Sequence, residues 1–551
     1  MFDLHCIHKS MHQDEERHMT HDTMRSWLRV ASAIVLVACG IRSFAEGTPE
    51  ARVPAISTEA ASIDSPVRTQ HSITVDGVEL DYTATAGTLR VRPDKIDAEA
   101  AIFYVSYRKD GEDAATRPIT FVFNGGPGSS AAWLHMGGLG PRRLALNDDG
   151  AIPTPPARLV DNAQTWLRFT DLVFIDPVGT GFSRAIASGE SSSAEVGRRF
   201  WGIKSDLRSL AEFIRLYLTG NDRWGSPKYL AGESYGGFRA AVLVDALPAQ
   251  AGIELNGAIL ISPVIDYTLN LHFDYLSVMP WVTFVPSFAA TAFNHGKYRG
   301  KGDDLKEVTE AAEIFSRGEL LLALVSGMPR KSPEVSQVLT HLAAITGLDE
   351  AEVQRQRGRI SAEVFAKRLL EDRGRVVGLY DGSVSAADPE PFSLSYPARD
   401  PSLDPLVAPV VSSFSAYVRD ELGYKTDVRY DLMNPDVLQA WNWAEAGLGD
   451  LPGVGLRMRR ALSLNPQMKL LIAHGYFDLA TPYFASRYLV ERLELDQATS
   501  PNLLLTVYAG GHMFYTHTRA REQFYADVKA LYESSPETPA RRAETAPDVK
   551  R

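Results

Sequence analysis

The chain has 551 residues, with 57 Lys and Arg against 68 Asp and Glu, for a net charge of -11 at pH 7. Its composition, 45% hydrophobic and 23% charged, is that of a globular protein and excludes a disordered or collagen-like chain. The length suits one large domain with an insertion, or several small ones. The negative balance repels phosphate backbones and no basic stretch offsets it, so nucleic acid is not an expected partner.

Residues 1–45 read as a leader. From about Met24, Arg25 and Arg29 form a positive region, residues 30–39 a short apolar core, and Ser43-Phe44-Ala45 a small-x-small cleavage site. Export to the periplasm or the extracellular space is the expectation. The apolar run falls short of the roughly 20 residues that a spanning helix needs, so no membrane span is expected. Leu36-Val37-Ala38-Cys39 offers a competing reading, a lipobox-like run that would make Cys39 a lipid anchor. Cys6 and Cys39, the two cysteines, both lie in this leader, so no intramolecular disulfide is expected beyond it.

Residues 46–71 mix Pro, Ser, Thr and Glu without periodicity and read as a linker. From Ile73 to Tyr107, short β-rich runs separated by Gly and Asp predict antiparallel hairpins. After Pro118 the pattern changes. Apolar runs at 119–123, 172–175, 229–231, 258–261, 470–473 and 503–508 are short and unalternating, as in strands buried on both faces. Between them, Ile203, Leu207, Leu210, Ile214 and Tyr217 trace one helical face, with Gly220 as its stop. A second helix is expected from Tyr235 to Leu247, ended by Pro248.

The alternation predicts an α/β fold with a mostly parallel central sheet, and the nucleophile elbow described below makes the α/β-hydrolase type the expectation. Residues 271–378, rich in helix formers and poor in strand runs, read as a helical cap. The catalytic domain is then 72–270 with 379–534, followed by a disordered tail at 535–551.

Gly232-Glu233-Ser234-Tyr235-Gly236 has the G-x-S-x-G form of a nucleophile elbow, with an apolar strand before it and a helix after it. A serine hydroxyl needs a base to take its proton and an acid to orient that base. In such folds both follow the serine in sequence, acid first. Asp478, just past the run at 470–473, and His512, just past the run at 503–508, fit this order and sit at strand ends, where ligands gather in α/β sheets. His135, His474 and His517 are rivals for the base. His474 precedes the acid, and His517 reads as a surface side chain. Asn124-Gly125-Gly126-Pro127-Gly128, directly after the run at 119–123, is a natural source of an oxyanion-hole amide, paired with the amide of Tyr235. No metal set appears, since the cysteines lie in the leader and no His pair has ligand spacing, and no cofactor is expected.

These segments, together with Asp176-Pro177-Val178-Gly179-Thr180-Gly181-Phe182-Ser183 and Gly510-Gly511-His512-Met513, resemble the signature segments of the serine carboxypeptidase family, in the same order over residues 118–525. The resemblance implies release of C-terminal amino acids from peptides through an acyl-enzyme. It further implies that the Gly126 and Tyr235 amides form the oxyanion hole. Asn124, the Gly125 amide and Glu233 would bind the substrate's terminal carboxylate, and Met513 would line the pocket of the departing residue. A carboxylate needs donors, and Glu233 donates only when protonated. Three positions depart from the family pattern: Val122 stands for a tryptophan, Ser129 for a cysteine, and Gly138 for the glutamate that pairs with the Glu233 position. An esterase or acyltransferase on the same scaffold, and a non-catalytic binding protein, are the alternatives. Oligomeric state is not legible in the sequence.

Overall fold

The computed structural model describes residues 65–534, apart from positions 154, 188, 190, 271–272, 274–275 and 447–452. The expected leader with Cys39, most of the expected linker and the expected tail at 535–551 lie outside the described residues.

The central sheet is built from β1 (Val67–Val75), β2 (Val78–Val91), β3 (Ala100–Lys109), β4 (Ile119–Phe123), β5 (Asp171–Ile175), β6 (Lys228–Glu233), β7 (Gly257–Ile261), β8 (Lys469–Gly475) and β9 (Leu503–Tyr508). Their spatial order is β1-β2-β3-β5-β4-β6-β7-β8-β9, with a short tenth strand, Arg184–Ala185, on β3. β1, β2 and β3 pair antiparallel, as do β3 and β5, and every pairing from β5 to β9 is parallel. A parallel run entered through an antiparallel edge, with the chain crossing over at β4, is the α/β-hydrolase arrangement. Successive residues of the parallel strands enter opposite cores: Phe121, Leu230 and Leu260 face one, while Val122, Ala231 and Ile261 face the other. Both faces are covered by helices, which is why these strands read as continuous apolar runs.

On one face pack α1 (Ile203–Gly220) and α2 (Tyr235–Ala251). Among the helices that follow, the longer α3 (Val285–Asn294), α4 (Leu305–Phe315) and α5 (Pro333–Thr346) belong to the insertion. They are followed by α6 (Asp404–Ala416), α7 (Gly455–Leu464), α8 (Tyr483–Val490) and α9 (Thr518–Glu533). α7 joins the face of α1 and α2, and α6 and α9 cover the other. The insertion has a core of its own around Phe288, Phe315, Leu342 and Phe365. Two of its helices, α4 and α5, start on capping side chains: Asp304 accepts from the Glu307 amide at 2.9 Å and Ser332 from the Val335 amide at 3.2 Å. That core also takes in Leu479 and Phe484, the first of which directly follows Asp478.

Three local readings of the sequence are corrected. Folded structure starts at Val67, before the expected linker end at 71. β1 is an edge strand that buries only Ile73 and Val75, so its polar residues look like linker. The runs between residues 78 and 91 are one strand of 14 residues that continues through Gly87, where a Cβ would lie 2.7 Å from the Pro66 Cα. Helix α2 runs past Pro248 to Ala251 and stops at Gly252, whose φ of 65° suits glycine. Pro248 falls in the last turn, where it removes the single N–H that would have bonded the Val244 carbonyl.

Candidate active site

The chain leaves β4 for β5 on one side and later returns to place β6 on the other, making a switch point at the carboxyl ends of β4 and β6, where ligands bind in such sheets. Register then fixes the neighbours. Phe123 pairs with Gly232, so Asn124 emerges beside Glu233, and its Nδ2 donates to Glu233 Oε2 at 2.7 Å. The Leu134 amide donates to Asn124 Oδ1 at 3.2 Å, which fixes the orientation of the amide group. Both side chains are 3% exposed.

Ser234 follows β6 and precedes α2, with φ 61° and ψ -122°, a conformation that costs a residue with a side chain about 1–3 kcal/mol. Its neighbours hold it there. The Ser234 amide donates to the Ile261 carbonyl at 2.9 Å, and the Ser234 carbonyl accepts from the Gly237 amide at 3.0 Å. A Cβ on Gly232 would sit 2.0 Å from the Gly236 carbonyl oxygen, so the turn closes only with glycine. Ser234 is half-buried at the rim of the cleft.

Asp478 and His512 meet from the ends of β8 and β9. His512 Nδ1 lies 2.8 Å from Asp478 Oδ2, with the two side chains 2% and 0% exposed. The Ala480 and Thr481 amides donate to Asp478 Oδ1 at 2.8 Å each, and the Thr481 hydroxyl donates to Oδ2 at 2.7 Å. The ring's backbone is tied as well: the His512 amide donates to the Tyr380 carbonyl, and Ser262 Oγ donates to the His512 carbonyl at 2.7 Å. Burial alone would lower the His512 pKa. The Asp478 charge and hydrogen bond, with Glu233 adding to them, outweigh it and hold the imidazole above its usual value.

Opposite Ser234, the loop 124–130 presents Gly126, which is exposed, while Tyr235 opens α2, so its amide has no acceptor within the helix. The loop touches the elbow: a Cβ on Gly125 would lie 2.5 Å from the Tyr235 amide nitrogen. Two buried charged groups support it from behind. Arg239 of α2 donates to the Asn124 carbonyl and pairs with Asp206 of α1 at 2.7 Å. Asp176 Oδ1 accepts from the Ala131 amide at 2.9 Å, while its Oδ2 has no hydrogen-bond partner. Burial pushes the Asp176 pKa up to about 7, against the bonds from Ala131 and Tyr430.

The open cleft is lined by Asn124, Gly125, Gly126, Glu233, Ser234, His512 and Met513, among others. Tyr235 is not among the lining residues and is fully buried at the start of α2. Burial raises the Glu233 pKa; His512 and the bonds from Tyr515 and Asn124 act the other way without offsetting it. The rival histidines are engaged elsewhere. His135 stacks on Phe174 and bonds the Tyr107 hydroxyl at 2.6 Å, His474 bonds Ser486 at 2.7 Å, and His517 pairs with Asp381 at 2.7 Å instead of lying free at the surface. Burial lowers the His135 pKa to about 3 and that of His474 to about 4.

Sequence reasoning missed Thr481, Arg239, Asp206 and Tyr515. A signal existed for Arg239, a lone charge in the apolar run 238–244; the others become visible only through contacts distant in sequence.

A family model described as serine carboxypeptidase matches residues 79–289, which include the loop 124–130 and the elbow but end before Asp478 and His512. Similar proteins extend the likeness. Pheromone-processing carboxypeptidase KEX1 of Yarrowia lipolytica is 25% identical over 390 residues, 69% of this chain and 52% of that protein. The matched stretch, residues 79–289, is similar to the serine carboxypeptidase family. Carboxypeptidase Y of Saccharomyces cerevisiae is 26% identical over 184 residues, 33% of this chain and 30% of that protein. KEX1 of Cryptococcus gattii is 31% identical over 150 residues, 27% of this chain and 20% of that protein. The chain thus spans about half, or less, of the length of these curated relatives.

Proposed function

We propose that this chain is a serine-type carboxypeptidase that releases C-terminal amino acids from peptides. In this reading Ser234 Oγ attacks the carbonyl of the last peptide bond as His512 takes its proton. Asp478 holds the ring in the tautomer whose Nε2 can accept and steadies the imidazolium that forms. The oxyanion is held by the amides of Gly126 and Tyr235, which act where charge develops. His512 then returns the proton to the departing amine, and water, activated by the same ring, frees Ser234. Asn124, the Gly125 amide and a protonated Glu233 receive the terminal carboxylate, and Met513 borders the departing side chain.

The observation that carries the reading is the Asn124–Glu233 pair at 2.7 Å, set beside Ser234 in one cleft. A general esterase has no need of a buried carboxyl next to its nucleophile, whereas a reader of free carboxylates does. Mass spectrometry of a free-acid peptide and its C-terminal amide after incubation tests it. Stepwise loss from the free acid alone, absent in Ser234→Ala, is the expected result; equal cleavage of both peptides would mean that the terminal carboxylate is not read, cleavage of neither would favour the esterase reading, and each would sink this one.

The leader-like segment supports export to the periplasm or the extracellular space, with cleavage near Ala45 or lipidation at Cys39 as its two routes. N-terminal sequencing of the mature protein separates them.

A further inference from the structure

Glu233 carries its two carboxyl oxygens in unequal surroundings. Oε2 accepts two bonds at 2.7 Å each, from Asn124 Nδ2 and from the Tyr515 hydroxyl. Oε1 takes neither, and Glu233 lines the cleft. Tyr515 lies in the short turn Phe514–Thr516, three residues after His512, and is fully buried. It reaches Glu233 because position 137 is glycine. A Cβ on Gly137 would sit 2.4 Å from the ring's Cε2, so only glycine leaves room for the ring there.

A phenol has one hydrogen to give, and burial with the nearby Glu233 holds the Tyr515 pKa well above its usual value, so it stays a donor wherever the protein works. With two donors aimed at Oε2, a proton on that oxygen would turn the phenol from donor to acceptor and take from its own hydrogen, in a buried site, the acceptor it has. The proton of a neutral Glu233 therefore sits on Oε1. We propose that Tyr515 is a positioning residue, which with Asn124 fixes Glu233 so that its acidic O–H points into the cleft as a donor to an anionic oxygen. This deepens the carboxypeptidase reading and rests on it for the identity of that oxygen, the terminal carboxylate of a peptide.

A consequence in pH follows. The charged and titratable groups around Glu233 are His512 beside it, Asp478 behind His512, and Tyr515. The Tyr515 bond favours the charged carboxylate, while donation to substrate needs the neutral acid, so activity on free-acid peptides falls as pH rises through the Glu233 pKa. Tyr515→Phe keeps the ring in its slot and removes the donor. The acid is then easier to keep protonated, but Oε1 is no longer singled out as its seat.

The experiment is the pH profile of kcat/KM on a free-acid peptide for wild type and Tyr515→Phe, with circular dichroism to check the fold. A parallel titration follows Glu233 in protein labelled with ¹³C at the Glu side-chain carboxyl, its signal assigned by Glu233→Gln. The expected result is an alkaline limb, and a Glu233 titration, displaced upward by about 0.5–1 pH unit, as a hydrogen bond of this kind implies. KM below the limb should rise about threefold to tenfold, with kcat less affected. A raised KM with an unmoved Glu233 titration would mean that Tyr515 is merely structural and would overturn the proposal, as would a downward displacement. The titration reads Glu233 whether or not peptide is cut. A wild type that leaves free-acid peptides intact therefore refutes the carboxypeptidase reading, while the role of Tyr515 is still decided by the NMR shift.

Discussion

Replacing Asp176 by Asn should stabilise the protein at alkaline pH and leave it nearly unchanged in acid. The Asp176 carboxyl is buried beside the loop 124–130, and where a Cβ on Gly181 would stand 1.7 Å from Oδ2 there is no room for water to solvate that oxygen. Its pKa is about 7 in the fold, against about 3.9 in an unfolded chain. Between those values the native state holds more protons than the unfolded state, so stability falls as pH rises through this window and the loss is complete above it. Roughly three pH units at about 1.4 kcal/mol each give a penalty approaching 4 kcal/mol at pH 8. Asn retains the oxygen that accepts from Ala131 and carries no charge, so it should recover about 2–4 kcal/mol at pH 8 and under about 1 kcal/mol at pH 4. Urea unfolding of both proteins at the two pH values measures the difference, and effects of other titrating groups cancel in the comparison. An Asn variant that is less stable at pH 8, or one with an equal gain at both pH values, would refute the argument.

Asp478→Asn should lower kcat on the order of 10⁴-fold, because the Nδ1–H partner that sets the working tautomer is lost. The same change removes the charge that raises the His512 pKa, so the acid limb of the residual activity should move to lower pH; a stopped-assay pH profile reads it. Arg239→Met leaves Asp206 buried and alone, for an expected loss of about 3–5 kcal/mol in urea unfolding. Adding Asp206→Leu should return most of it, whereas no recovery would mean that the bond to the Asn124 carbonyl matters more than the pairing of charges.

The parallel strands were legible because burial on both faces leaves no alternative to continuous apolar runs, as at 119–123 and 258–261. The elbow was legible because its steric demands fall within five consecutive residues. Asn124 and Glu233 could be singled out separately, but their contact depends on the β4–β6 register, which sequence does not state. Tyr515 was hidden for a sharper reason: its partner lies 282 residues away, and its access depends on one glycine, Gly137, in a third segment. Val67 to Ser72 misled as a linker because an edge strand buries too little to leave a periodic trace. Pro248 misled because a proline in a final helical turn displaces a single bond.

The sharing of Leu479 between the insertion's core and the turn that carries Asp478 has a practical outcome. The Leu479 amide donates at 3.0 Å to the carbonyl of Leu379, itself part of the insertion's core, so the segment holding Asp478, the proposed acid, is stitched to that core as well as to the sheet. Warming that loosens the insertion pulls on the acid before the central sheet has melted. Heat inactivation should therefore precede global unfolding, and an assay of residual activity would report the health of the helical layer, with the bulk of the fold still intact.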